Sequence, residues 1–124
     1  MPRTVAVDFD GVLHPYTRGW VGSVPDDEAP MQGAHELLAA LVDTGFTVVV
    51  FSTRADHGEG HDGITAWLER HQLAAYIDRV THEKPPAVAY VDDRAVRWYG
   101  DWEEAFDGVM ELAEGRRHGA SADA

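Results

Sequence analysis

The chain has 124 residues, 22 acidic against 10 basic, for a formal charge of -12, and contains no cysteine. That length fits one domain, whose folding buries roughly two-thirds of the surface the unfolded chain exposes. The charge opposes an extended face for nucleic acid or anionic membrane, and the absence of cysteine excludes a disulfide frame and thiolate metal sites.

In chain order, Thr4 to Val7 is a short β-branched run leading into Asp8, which predicts a buried central strand. After Gly11 the chain is rich in Gly, Pro and aromatic residues, including His14, Tyr16, Arg18 and Trp20, and a hairpin flap is expected there. Met31, Ala34, Leu37, Leu38, Leu41 and Val42 recur at helical spacing with Gly45 as a stop, and Phe46 to Phe51 predicts the second strand. Ala55 to His61 carries two glycines and little apolar content, so it is expected to be a loop, with Asp62 capping a helix that buries Ile64, Trp67 and Leu68. Strands are predicted at Ile77 to Thr81 and Val88 to Val91, with a proline-bearing turn at Lys84 between them and a weak fifth strand at Val96 to Tyr99. Asp101 with Glu104 resembles a capping box opening a final helix, and the small, polar tail 115–124 is expected to be disordered. The alternation predicts one α/β domain over 1–114, built on a parallel sheet of about five strands. With no secretory leader or long apolar stretch visible, the expected location is the cytoplasm, with no membrane partner.

Chemistry-bearing residues sit where these strands end. Asp8 and Asp10 are two apart, so both carboxylates can face one side of the following loop. A helix-loop-helix calcium site needs further alternate ligands, and Val12, His14 and Tyr16 occupy those positions instead. Ser52, Thr53 and Arg54 follow the second strand and offer hydroxyls, N–H groups and a guanidinium to phosphate oxygens. Lys84 is the only lysine. Asp92 and Asp93 directly follow an apolar strand, where a carboxylate is costly unless paired or metal-bound. His57 and His61 have zinc-compatible spacing but no third ligand, so zinc is not expected.

These segments, in this order, resemble the haloacid dehalogenase superfamily of phosphotransferases. Asp8-Phe9-Asp10-Gly11-Val12 matches its nucleophile motif, Ser52 its phosphate-binding hydroxyl residue, Lys84 its lysine, and Asp92-Asp93 its acidic metal motif. The resemblance spans residues 4 to 93 and implies a three-layer, Rossmann-like domain. It implies a magnesium-dependent phosphomonoesterase in which Asp8 is the nucleophile and Asp10 the acid and base. Ser52, Thr53, Arg54, Lys84 and His14 are the substrate-binding candidates, and Asp8, Asp10, Asp92 and Asp93 the magnesium ligands.

Only 41 residues separate Asp10 from Ser52 and 31 separate Ser52 from Lys84, too few for the cap domain that many such enzymes insert. A capless site is therefore expected, open to a bulky substrate or closed by the flap or by a second copy in a homo-oligomer. A small phosphorylated metabolite such as a sugar phosphate is the expected substrate. Ser52-x-Arg54 and Asp92-Asp93-Arg94 are also similar to the 3′-phosphatase domain of polynucleotide kinase, which leaves a nucleic-acid end as the alternative. A non-catalytic phosphate-binding module is a third.

Overall fold

The computed structural model describes residues 3–92, 98 and 100–114. Among these residues four strands form one sheet: β1 (Thr4–Asp8), β2 (Thr47–Phe51), β3 (Ile77–Thr81) and β4 (Ala89–Val91). Their order is β3-β2-β1-β4 and every pairing is parallel. Val5, Ala6 and Val7 of β1 and Val48, Val49 and Val50 of β2 are buried, which is why both central strands read as unbroken apolar runs. The expected fifth strand, Val96 to Tyr99, lies outside the described residues except for Trp98, and Asp93 and the tail 115–124 lie outside them too.

Among the described residues, three α-helices accompany the sheet. Helix α1 (Ala34–Thr44) buries Ala34, Leu37, Leu38 and Leu41. It ends as its composition predicts: Gly45 takes a φ of 103, its N–H donates to the Val42 carbonyl, and the Phe46 N–H donates back to Leu41. Helix α3 (Trp102–Ala113) starts at Asp101, whose Oδ1 accepts the N–H groups of Glu103 and Glu104 at 3.0 and 3.2 Å. Its buried face is Ala105, Gly108 and Val109, and it packs against α1 and β4.

Helix α2 departs from expectation. It runs Gly58–Arg70 behind a 3-10 turn at Thr53–Asp56, so most of the segment expected to be a loop is helical and the residue before the helix is His57, not Asp62. Of the two glycines that suggested a loop, Gly60 answers to close packing, while a Cβ on Gly58 would meet nothing within 4 Å. A Cβ on Gly60 would lie 1.9 Å from the Arg54 carbonyl oxygen, and one on Gly63 would lie 3.1 Å from Val24 and Pro25. At its far end Gln72 sits at φ 62, with the Leu73 N–H donating to Leu68 at 2.8 Å.

Between β1 and α1 no hairpin forms. Apart from an isolated bridge between Asp10 and His14, residues 11–33 carry no strand or helix and run as an irregular strap. No helix among the described residues is long and apolar enough to cross a membrane.

Candidate active site at the strand ends

The strands deliver the sequence-predicted residues to one edge of the sheet. Asp8 closes β1 and is in register with Phe51, the last residue of β2, so Ser52 emerges beside it. On the other side Val7 pairs with Val91, which sets Asp92 next to Asp8. Neighbouring strands lie about 4.8 Å apart, so the Asp8, Ser52 and Asp92 backbones form one short row at the carboxyl end of a parallel sheet, where ligands of such sheets bind. Asp92 is 4% exposed and Ser52 likewise, so both face the interior of this edge.

The turn after β1 is wound tightly around one carbonyl. The N–H groups of Val12, Leu13 and His14 all donate to Phe9 O, and the Phe9 N–H donates to Asp8 Oδ1 at 2.8 Å. Gly11 reverses the chain at φ 81, and its N–H reaches His14 O at 2.7 Å. Phe9 is thereby buried under the loop while Asp10 is left partly exposed. This alternation is what the Asp-x-Asp spacing predicts.

Ser52 folds its own turn. Its Oγ accepts the Arg54 N–H at 3.1 Å and its carbonyl accepts that of Ala55. A hydroxyl that accepts still has its proton to donate, so Ser52 keeps a donor for an anionic oxygen. Thr53 is exposed at the head of the turn. Lys84, also exposed, brings its Nζ to 4.5 Å from the Tyr90 ring centroid and 6.0 Å from that of Phe51, which places it at the same edge.

Arg54 and His14 sit differently from what their sequence context suggests. The Arg54 side chain is 1% exposed. Its Nε donates to Asp10 Oδ2 at 2.9 Å and Oδ1 at 3.1 Å, and its Nη1 donates to the carbonyls of Gly22 and Ser23 at 2.6 and 3.1 Å. It is thus a buried brace between Asp10 and the strap. His14 is 2% exposed and wedged between the rings of Phe9 and Trp67. Its Nδ1 accepts the Tyr16 N–H at 2.9 Å, and its Nε2 meets Asp26 Oδ1 at 2.9 Å, so neither nitrogen is turned to a ligand.

That hydrogen bonding bears on a second group. His14, Asp26 and Glu28 bring ligand atoms within 4.8 Å of one another, a set that can hold a metal ion without selecting magnesium. Because Nδ1 accepts a backbone N–H, the ring proton of the neutral imidazole must reside on Nε2, the atom that would have to coordinate. Glu28 is engaged by the Thr17 hydroxyl. The cluster therefore reads as a hydrogen-bonded anchor of the strap. Two further anchors act beside it: Trp67 Nε1 donates to Glu28 O at 3.0 Å, and Arg70 and His71 both reach Asp27 Oδ1 at 3.0 Å. Those two partners, Arg70 first, hold the Asp27 carboxyl below the usual carboxylate range.

Sequence reasoning missed Arg54 as the partner of Asp10 and Trp67 as the partner of the strap. Their contacts span 44 and 39 residues, and no periodicity signals them. No protein-family model, curated protein or solved structure matches this chain.

Proposed function

We propose that the chain is a magnesium-dependent phosphomonoesterase of the haloacid dehalogenase type, with a Rossmann-like, capless domain, acting on a small phosphorylated metabolite. The observation that carries this reading is the row of Asp8, Ser52 and Asp92 at adjacent parallel strand ends, with the Asp10 carboxylate one turn beyond.

In this reading an Asp8 oxygen attacks phosphorus in line and the ester oxygen leaves with a proton from Asp10, giving an aspartyl-phosphate and the free alcohol. Water then attacks the same phosphorus, Asp10 takes its proton, and the Asp8 carboxylate is released with inorganic phosphate. The Ser52 hydroxyl, the Thr53 N–H and Lys84 bind the phosphoryl oxygens, where fixed donors stabilise charge developing in the transition state. Arg54 occupies one side of the Asp10 carboxylate and leaves lone pairs on both oxygens for the proton in transit.

The donor set fits a hard divalent cation. Asp8 and Asp92 supply carboxylate oxygens from neighbouring strand ends, with the Asp10 carbonyl and Asp93 as further candidates, and oxygen ligands with retained waters suit magnesium. Bound there, the ion would neutralise the phosphoryl oxygens during transfer.

The test is hydrolysis of an aryl phosphate by the purified protein with magnesium, with excess chelator, and in Asp8→Asn. Turnover should require the metal and vanish in the variant, whose thermal transition should match the wild type because side-chain volume barely changes. A beryllofluoride adduct should form on Asp8, and activity that persists in Asp8→Asn refutes the assignment.

A further inference from the structure

Trp20 is 57% exposed, and the same stretch leaves Val21 at 53% and Val24 at 44% exposed. Single apolar side chains in water are ordinary, but three within five residues, on a segment braced against the candidate site, form a patch. The Trp20 ring is also held in place. The Arg54 guanidinium carbon lies 4.6 Å from its centroid, and that guanidinium is fixed by Asp10, Gly22 and Ser23. Tyr16 approaches the same guanidinium at 5.9 Å from a backbone φ of 62, a left-handed conformation unfavourable for a bulky residue and maintained here by His14 Nδ1.

We infer that Trp20 is a stacking platform for a flat aromatic ring carried by the leaving group, so that the preferred substrates are phosphate monoesters of nucleosides or similar aromatic alcohols. The inference rests on the phosphomonoesterase reading, in which Asp10 serves the leaving oxygen. Arg54 links the two, its Nε 2.9 Å from Asp10 Oδ2 and its guanidinium carbon 4.6 Å from the indole centroid. One arginine side chain thus borders both the carboxylate and the ring, so a base carried on the leaving group's sugar would meet the indole beside Asp10. With one face of the indole against a cation, its exposed surface is what remains for a second ring. Stacking also suits a chain of charge -12, because a π-face binds without a basic stripe.

Two readouts test this. The first is kcat/KM with magnesium for ribose 5-phosphate, phenyl phosphate, adenosine 3′- and 5′-monophosphate and a 3′-phosphorylated oligonucleotide. Aromatic esters should exceed ribose 5-phosphate, and that ratio should fall roughly tenfold in Trp20→Ala and recover in Trp20→Phe. The second is the Trp20 indole N–H resonance in the wild type and in Asp8→Asn, assigned by its loss in Trp20→Phe. Adenosine monophosphate should shift it and ribose 5-phosphate should not. A ratio unchanged in Trp20→Ala, or equal shifts from both ligands, overturns the platform and leaves the phosphatase reading standing. A nucleotide-specific shift in a protein that hydrolyses no monoester keeps the platform and overturns the phosphatase reading. Preference for the oligonucleotide over the mononucleotide, weakening as salt rises, assigns the ring to a nucleic-acid end, and the opposite order assigns it to a free nucleotide.

Discussion

A guanidinium buried to 1% exposure needs its charge and its donors answered from within the protein, and Arg54 is answered by Asp10, two carbonyls and two aromatic rings. Removing it leaves Asp10, 24% exposed, without its cation and two strap carbonyls without a donor. Breaking a fully buried pair costs about 3–5 kcal/mol, and partial hydration of Asp10 lowers the expectation for Arg54→Ala to about 2–3 kcal/mol, measured by urea denaturation. Turnover should fall further than the folded fraction does, because Asp10 loses its orientation. Lys84 calls for the opposite balance. It is exposed, so Lys84→Arg should leave stability within about 0.5 kcal/mol. Hydrolysis should still drop at least tenfold, because a planar fork does not place charge as a compact ammonium does. Wild-type turnover in Lys84→Arg would reduce the position to a generic positive charge. Asp8, Ser52 and Asp92 were legible as strand-end residues because apolar runs point at them. The placements of Arg54 and His14 were not, since each is decided by partners that only the folded chain brings near.

Among the elements, α2 is fitted to the site most tightly. The Gly60 position needs space rather than an unusual φ, because the atom a Cβ would strike is the Arg54 backbone oxygen at 1.9 Å and no side chain can swing aside. Gly60→Ala should therefore destabilise by about 1–3 kcal/mol, despite the better helix propensity of alanine, and should lower turnover by displacing Arg54. A Tm equal to or above wild type would show that the turn gives way freely. The same contact explains why the start of α2 was illegible: glycine was counted as a helix breaker where it permits a helix to approach a backbone. Strand cores and the ends of α1 and α3 were readable because β-branched runs, Gly45 and Asp101 act locally. The flap expected as a hairpin lacked any such local device. Its course is set instead by anchors reaching from Arg54, Trp67, Arg70 and His71.

At the scale of the whole molecule, the strap joins the two ends of α2, with Arg54 near one end and Asp27 held by Arg70 and His71 at the other. Because those partners lower the folded Asp27 pKa, its contribution to stability is present above the ordinary carboxylate value of about 3.9 and is lost as pH falls through the folded value. The Tm difference between wild type and Asp27→Asn should thus be small but measurable near neutral pH and disappear in strong acid. A difference that grows on acidification would reverse the sign and refute the pairing. The sheet order carries a separate consequence for synthesis. β4 pairs with β1, Ala89 against Val5 and Val91 against Val7, so among the described strands the one that brings Asp92 is the last made and docks beside the first. A nascent chain halted before Ala89 presents the β1 edge as a row of unpaired N–H and C=O groups among Val5, Ala6 and Val7, an open template for strands of other chains. Closing that edge and completing the carboxylate row are one event, so a chain halted past β3 lacks that row and exposes an edge prone to aggregate.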